Sequence, residues 1–325
     1  CVTRGQELWG FIPRVLLPRL RLNDGRLDGS PKVADVFADY DADGRREWKT
    51  VLTFQVGSGQ PGVTGFTPAV YALDITNPAD PKILWEVATP AVRGASELGV
   101  GTSLAMAPTR TSSGGTRNLT FVVTSNGGTG GAGLHVVALV TETGAVAWTW
   151  SQPYGASRLL ANPLVPASGV PGGPVAIDRD ESGTAAWLAV PSLYGDVWLL
   201  DAGTGVSRHG AQPLFRFSTD FHPIGASPTL YRDGGGALRL VLGSGGYTDP
   251  VSTSWAPVDQ RQYLVSIAVN ASSVPVTEAG SPPDVAFAVP LGDGERIYAQ
   301  AVVEGGELYA VRSEERRVGK ECSLP

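Results

Sequence analysis

The sequence predicts an all-β fold, a β-propeller with quinoprotein-like blades of four strands each. The chain has 325 residues, and its 42 glycines and 25 prolines follow no collagen-like period. That composition is typical of many short strands joined by turns. The chain also repeats itself, and each repeat holds about four runs of β-branched and aromatic residues. Four-stranded units repeated around an axis are propeller blades, whereas the alternative, a β-sandwich, does not predict such self-similarity.

The second half of each repeat is a strand and a turn, followed at a fixed distance by an aromatic residue. Its copies are VYALDITNPADPKILWEV (70–87), HVVALVTETGAVAWTW (135–150), VWLLDAGTG (197–205) with PLFRF (213–217), and QYLVSIAVN (262–270) with VAFAV (285–289). The first half recurs at 30–59, 102–128, 174–195 and 227–246. The predicted blades therefore cover about 28–90, 95–152, 160–220 and 222–290. Tryptophans 85, 148 and 198 recur with the repeat, which favours blade-to-blade packing over a ligand site.

The two ends of the chain break the repeat. TRGQELWGF at the start has the spacing of TGAVAWTW (143–150), so residues 1–12 are expected to end a preceding blade. On this interpretation Cys1 marks a truncation point and not a lipid anchor. ELYAV begins a further blade within 297–311. The densely charged residues 313–325 resemble nothing earlier, so we expect a propeller domain over 1–312, an incomplete ring and a non-native tail.

The overall composition narrows the choice of partners. Hydrophobic residues make up 42% of the chain, charged residues 17%, and the net charge is −6. An acidic chain with few basic residues is not expected to bind nucleic acid. No run of 18 apolar residues occurs, so no membrane span is predicted. The two cysteines, Cys1 and Cys322, indicate neither a disulfide framework nor a thiolate metal site.

The stretch DYDADGRREW (39–48) carries four acids between two predicted strands. Its aspartates occupy alternate positions and are followed by a glycine, as in the first part of an EF-hand loop. Acids this close repel one another unless a cation neutralises them, and Ca²⁺ is the natural oxygen-preferring candidate. The alternative is a solvated hairpin loop, because Asp and Gly favour turns. The predicted calcium ligands are Asp39, Asp41, Asp43 and Glu47, with Arg45 supplying its backbone carbonyl.

A second acidic stretch, DRDESGTAA (178–186), occupies the equivalent position of a later blade. It keeps Asp178, Asp180 and Ser182 at the alternate positions, but Ala186 replaces the last carboxylate. A weaker or vestigial calcium loop is therefore predicted here.

No group of residues in the sequence indicates catalysis. The three histidines, His135, His209 and His222, have neither metal-ligand spacing nor a nearby nucleophile motif. GTGGAG (128–133) matches a dinucleotide-binding pattern, but it lies between two strand-like runs and is predicted to be a glycine hairpin. These observations favour a non-enzymatic binding or scaffolding protein.

Several motifs, taken in order, resemble the C-terminal propeller of the PilY family. The members of this family are tip-associated assembly and adhesion factors of bacterial type IV pili. The motifs are ELWGFIPRVLLPRL (7–20), DGSPKVADVF (28–37), WKTVLTFQVGSG (48–59) and VYALDITNP (70–78). AIDRDESGTAAWLAVPSLYGDVWLLD (176–201) is similar to the family's calcium-loop blade. The resemblance covers about residues 5–290.

This resemblance implies a function in pilus assembly. It implies calcium control of pilus extension against retraction, association with minor pilins in the pilus tip complex, and contact with a host or abiotic surface. It also implies an extracellular location at the pilus tip after export through the periplasm. The family's calcium motif falls on Asp178, Asp180, Ser182 and Ala186, where the terminal acid is lost. The loop that begins at Asp39 is therefore expected to have taken over calcium binding.

Two other classes share parts of the pattern. YALD and TG…W repeats also resemble periplasmic quinoprotein dehydrogenases, in which a propeller holds pyrroloquinoline quinone and calcium. Those enzymes need an adjacent cysteine pair, which this sequence lacks. A scaffold propeller of outer-membrane assembly is the third possibility, but the calcium-type loops and the IPRVLLP segment (12–18) indicate against it.

Overall fold

The predicted all-β propeller fold is confirmed by a computed structural model of the chain. The residues that the structure describes are 7–20, 30–56, 69–88, 104–111, 113–126, 133–152, 172–192, 195–218, 222–245, 261–269, 275–292 and 294–314.

Within these described ranges, four antiparallel sheets of four strands each form the body of the molecule. The first sheet contains β1 (Lys32–Ala38), β2 (Glu47–Val56), β3 (Ala69–Asp74) and β4 (Lys82–Val87). The second contains β5 (Ala105–Arg110), β6 (Thr116–Asn126), β7 (Gly133–Val140) and β8 (Val146–Ser151). The third contains β9 (Val175–Ile177), β10 (Trp187–Pro191), β11 (Asp196–Asp201) and β12 (Phe215–Arg216). The fourth contains β13 (Thr229–Arg232), β14 (Leu238–Gly243), β15 (Tyr263–Ala268) and β16 (Val285–Pro290).

Each sheet is a meander in which every strand pairs with the strand that follows it in sequence. The runs of Val, Leu, Ile and aromatic residues suit such strands because their side chains pack on both faces of a buried sheet. Glycine with a positive φ closes several of the turns, as at Gly205, where φ is +75°. Each sheet lies within one of the four predicted blade ranges.

The sheets pack face to face in chain order, and their contacts form the core. Val51 and Val70 of the first sheet pack with Val122 and Val137 of the second, and all four are fully buried. Equivalent clusters join the second sheet to the third and the third to the fourth. Truncating a buried leucine or isoleucine of these clusters to alanine typically costs about 2–5 kcal/mol.

Tryptophans strengthen two of these junctions. Trp85 of β4 donates a hydrogen bond from Nε1 to the carbonyl oxygen of Thr141 in the second sheet, at 2.8 Å. Trp148 of β8 does the same to Ala202 of the third sheet, at 3.1 Å. Trp198, which the repeat groups with these two, lies instead on the third strand of its sheet and contacts Trp150, with ring centroids 5.2 Å apart.

The segment before the first sheet packs against that sheet. A 3₁₀ helix spans Arg14–Arg19, and no strand is formed over 7–13. Trp9 Nε1 donates to the carbonyl of Pro78, at 2.9 Å, as Trp85 and Trp148 do at the later junctions. Phe11 makes an edge contact with Tyr71 at 5.7 Å. This segment therefore covers part of the face of the first sheet that points away from the second sheet.

Four short strands follow the fourth sheet. β17 (Glu295–Ile297) pairs with β20 (Arg312–Glu314), and β18 (Val302–Glu304) pairs with β19 (Glu307–Tyr309). β20 crosses the predicted boundary at residue 313, and residues 315–325 lie outside the described part of the chain. Within the described ranges, the structure has no helix that is both long and apolar enough to span a membrane.

Candidate metal centre

The first acidic loop connects β1 to β2 in the first sheet. The strands pair up to Ala38 opposite Glu47, so the eight residues between them form the loop. Its backbone turns through two positive φ angles, +60° at Ala42 and +85° at Gly44. Glycine accepts such an angle without strain, and this favours a tight loop that turns its side chains inward.

The loop brings three of the predicted ligands together. Oxygens of Asp39, Asp41 and Asp43 lie within 4.8 Å of one another, and this is the only such group of acids, histidines or cysteines among the described residues. Calcium binds oxygen at about 2.3–2.6 Å, so two ligands of one ion are at most about 5 Å apart. The three carboxylates therefore fit a shared calcium ion.

Backbone amides hold the carboxylates in place. Gly44 N–H donates to Asp39 Oδ2 at 2.9 Å, and Arg45 N–H donates to Asp43 Oδ1 at 2.7 Å. Asp39 Oδ1 is buried and accepts no hydrogen bond from the described residues. A buried carboxylate oxygen without a partner is costly, and a cation would remove that cost. Arg45 therefore helps to orient Asp43 through its N–H. The binding of calcium by its backbone carbonyl remains a prediction.

Glu47, the predicted closing ligand, contacts a lysine in this structure. Its Oε1 lies 3.0 Å from Lys49 Nζ, and Lys49 also reaches Asp74 Oδ2 at 3.4 Å. Burial opposes the lysine charge, but the hydrogen bonds to Glu47 and Asp74 raise the pKa of Lys49. For Glu47 to bind a cation it must leave Lys49, so its role as a ligand remains a prediction.

Sequence reasoning missed the aromatic and cationic surroundings of this loop. Lys49 Nζ lies 4.6 Å from the centroid of the Tyr40 ring, and the Arg46 guanidinium lies 4.8 Å from that of Phe37. Burial, followed by the charge of Glu142 in the second sheet, raises the pKa of Tyr40 above its ordinary value. Lys49 could have been recognised from its place two residues after Glu47, since such residues share one face of a strand.

The second acidic loop connects β9 to β10 in the third sheet, and its backbone matches that of the first. Glu181 and Gly183 have φ of +58° and +78°, like Ala42 and Gly44. Gly183 N–H donates to Asp178 Oδ2 at 2.7 Å, which matches the bond from Gly44 to Asp39. The acidic loops that begin at Asp39 and Asp178 therefore share one backbone conformation.

The second loop differs from the first in its side chains. Ser182 takes the place of the third aspartate, and its hydroxyl lies 2.8 Å from that of Thr184. The hydrogen bond from Ser182 lowers the pKa of the exposed Asp180 carboxyl. Asp178 and Asp180 belong to no group of three candidate ligands within the described ranges. Calcium binding by Asp178, Asp180 and Ser182 remains a prediction.

Comparison with known proteins identifies relatives by sequence. The chain is 30% identical over 268 residues to the type IV pilus biogenesis factor PilY1 of Pseudomonas aeruginosa, covering 78% of this chain and 20% of that protein. It is 29% identical over 97 residues, 28% of this chain and 7% of the relative, to the PilY1 homolog of Xylella fastidiosa. The chain thus spans about a fifth of the length of the first relative. No family model matches the chain.

Among solved structures, the chain is similar to the C-terminal domain of Pseudomonas aeruginosa PilY1. The match covers 96% of this chain and 73% of that one, with a TM-score of 0.66 and 19% sequence identity. The likeness at this identity concerns the fold, and the fold is the propeller described above.

Proposed function

The chain belongs to the PilY family, and we propose that it is the propeller of a type IV pilus biogenesis factor. The observation that carries this proposal is the sequence match to PilY1, which extends over 268 residues and 78% of this chain. In the proposed function the propeller is not an enzyme. It binds minor pilins within the pilus tip complex, outside the cell after export through the periplasm, and contributes to adhesion to a host or abiotic surface.

We further propose that the first acidic loop binds Ca²⁺ and that calcium modulates pilus extension against retraction. The arrangement of Asp39, Asp41 and Asp43 supports this, because their oxygens can reach one ion and one buried oxygen of Asp39 has no partner in the described part of the chain. Glu47 would close the site after leaving Lys49. Calcium would then replace the repulsion among these acids by attraction and hold β1 and β2 together at this end.

The non-enzymatic proposal is supported by the relatives, whose names describe pilus biogenesis and not a reaction. The sequence supports it as well, since its cysteines, Cys1 and Cys322, cannot form the adjacent pair that quinoprotein dehydrogenases need. A redox assay with pyrroloquinoline quinone and an artificial electron acceptor tests this point. Turnover of an alcohol substrate would overturn the non-enzymatic proposal.

A pair of thermal melts tests calcium binding. The protein is melted with calcium and with chelator, alongside Asp41→Ala and the control Asp80→Ala. Asp80 is an aspartate of the same sheet whose partner is Lys82, 2.7 Å away. A ligand that binds only the folded state adds about 2.7 kcal/mol at a hundredfold excess over its dissociation constant. We expect calcium to raise the melting temperature of the unaltered protein and of Asp80→Ala, and not that of Asp41→Ala.

The pilus function is tested in the bacterium with the full-length protein. Cells carrying Asp41→Ala are compared with cells carrying Asp80→Ala for surface pili and twitching motility. We expect Asp41→Ala to change the balance of extension and retraction, and Asp80→Ala to leave it unchanged. Loss of the whole protein without any effect on pili would overturn the proposed function itself.

A further inference from the structure

We propose that the second acidic loop, residues 178–186, is held by arginine side chains of the two neighbouring sheets in place of a cation. The proposal concerns a loop whose backbone is that of a calcium loop but whose ligand set is incomplete. It does not depend on calcium binding at the first loop. The supporting contacts come from the fourth sheet, from the second sheet and from within the loop.

Arg232, on β13 of the fourth sheet, binds the second acidic loop. Its Nε lies 2.8 Å from Glu181 Oε1, and its Nη2 donates to the carbonyl of Arg179 at 2.9 Å. Two nitrogens of one guanidinium thus bind a carboxylate and a backbone oxygen of the same loop. This forked arrangement requires arginine, because a lysine ammonium is a single point of contact.

The second sheet holds the other end of the loop. Ala185 N–H donates to the carbonyl of Pro108 at 2.7 Å, and Thr109 forms a parallel bridge with Ala185. Arg110 Nε donates to Thr184 Oγ1 at 3.4 Å. The loop is therefore bonded to the sheets on both sides of its own.

Within the loop, the carboxylate best placed to bind a cation is already engaged. Asp178 accepts from Ser182 N–H at 3.1 Å through Oδ1 and from Gly183 N–H at 2.7 Å through Oδ2. In the first loop, by contrast, one buried oxygen of Asp39 has no hydrogen-bond partner among the residues that the structure describes. Calcium takes six to eight oxygens, commonly with several carboxylates. With Ser182 and Ala186 in place of two acids, and with Arg232 bound beside them, the second loop does not fit calcium.

This arrangement confines any calcium response to the first loop and makes the junction of the second, third and fourth sheets independent of calcium. The junction should instead respond to salt, because a guanidinium–carboxylate pair near the surface is screened by ions. A propeller that carries one calcium loop and one arginine-held loop could loosen at one sheet while the others stay docked.

Hydrogen exchange of the loop amides tests the proposal. Exchange of Ser182 and Gly183 is followed in calcium and in chelator for the unaltered chain, Arg232→Ala and Arg232→Lys. We expect both variants to raise the exchange rate several-fold, equally in calcium and in chelator. Arg14→Ala is the matched control, because that arginine pairs with Glu86 of the first sheet at 3.5 Å, and it should leave both rates unchanged.

Asp41→Ala separates this inference from the proposed calcium function. If calcium slows exchange at Ser182 and Gly183 in Asp41→Ala, the second loop binds the cation and the inference is wrong. Unchanged exchange in Arg232→Ala would also overturn it. If calcium has no effect on residues 39–47 of the unaltered chain while Arg232→Ala still raises exchange at 182–183, the calcium function fails and the inference stands.

Discussion

Trp85 Nε1 lies 2.8 Å from the carbonyl oxygen of Thr141, and this hydrogen bond fastens the first sheet to the turn before β8 of the second. The same turn contains Gly144, whose φ is +72°. A Cβ atom added at Gly144 would lie 2.8 Å from Cδ2 of the Trp85 ring. The Trp85 indole therefore packs against this turn only if the Thr141 carbonyl accepts its hydrogen bond and residue 144 has no side chain. This contact between sheets explains why glycine and tryptophan recur together in the repeat.

Gly144→Ala should destabilise the protein through two separate effects. The left-handed backbone costs an alanine about 1–2 kcal/mol, and displacement of the Trp85 ring adds about 1–3 kcal/mol for overpacking. Gly114→Ala is the control, because Gly114 has φ of +85° with nothing within 4 Å of the added Cβ. Urea unfolding should show a loss about twice as large for Gly144→Ala. Equal losses would mean that the ring moves aside freely.

The blades were predictable because strand runs, turns and aromatic residues recur along the chain. The blade-to-blade packing predicted for Trp198 is confirmed by its contact with Trp150 of the second sheet. Its strand was not predictable, because the third sheet ends in the two-residue strand Phe215–Arg216 and carries phenylalanines where the earlier sheets carry tryptophan. Trp198 is only 1% exposed on β11. Position in a repeat thus predicts burial well, but it does not distinguish the third strand from the fourth when both carry aromatic residues.

Glu142→Gln should stabilise the protein at neutral pH. Glu142 Oε2 is buried without a hydrogen bond from the described residues. Burial raises the pKa of this carboxyl, in spite of the nearby charges of Arg117 and Arg46. A carboxyl with a raised pKa in the folded state keeps its proton longer than in the unfolded chain. Stability therefore falls as pH rises from the unfolded to the folded pKa.

The gain from Glu142→Gln should be at most about 1 kcal/mol, since water screens a half-exposed carboxylate. It should be full above the folded pKa of Glu142 and absent below the unfolded value of about 4.3. Melts of both proteins from acid to neutral pH measure the difference. Glu304→Gln, at an exposed position of β18, serves as the control. A gain that is constant across this range would show that the charge of Glu142 is not its cause.

The acidic loop itself was predictable, because alternate aspartates before a glycine suit inward-turning oxygens. The ion pair of Glu47 with Lys49 was missed because Glu47 was assigned to the loop as a ligand, although a spacing of two residues on one strand indicates a contact. Glu47 is the first residue of β2, so its side chain shares a face with Lys49 and meets it at 3.0 Å. The position of Arg232 beside the second loop depends on how two sheets pack, which no local motif records.

The buried pair of Asp196 and Arg216 should behave as a coupled unit. Asp196 is fully buried, and Arg216 reaches its two oxygens with Nε at 2.8 Å and Nη2 at 3.3 Å. Arg216→Met would leave the carboxylate without this countercharge, at a cost of about 3–5 kcal/mol. Arg216→Met combined with Asp196→Asn should be less destabilised than Arg216→Met alone. Additive losses in chemical denaturation would contradict the coupling.

Lys49→Met should tighten calcium binding at the first loop if Glu47 is a ligand. Lys49 Nζ lies 3.0 Å from Glu47 Oε1 and places a positive charge beside this predicted ligand. Removing Lys49 frees Glu47 to close the site. Calcium binding then no longer has to break a surface ion pair worth up to about 1 kcal/mol, which corresponds to a gain of roughly fivefold in affinity. Isothermal titration with calcium measures the dissociation constant. Lys82→Met, which breaks the Asp80 pair in the same sheet, should leave it unchanged.

Adding Glu47→Gln to Lys49→Met assigns the gain. If Glu47 supplies the closing carboxylate, the double variant should lose the tighter binding and fall below the unaltered protein. If Lys49→Met tightens binding and Glu47→Gln does not reverse it, the lysine acts only through its charge, and the site consists of Asp39, Asp41 and Asp43 alone. An unchanged dissociation constant in Lys49→Met would show that neither the lysine charge nor the release of Glu47 limits calcium binding.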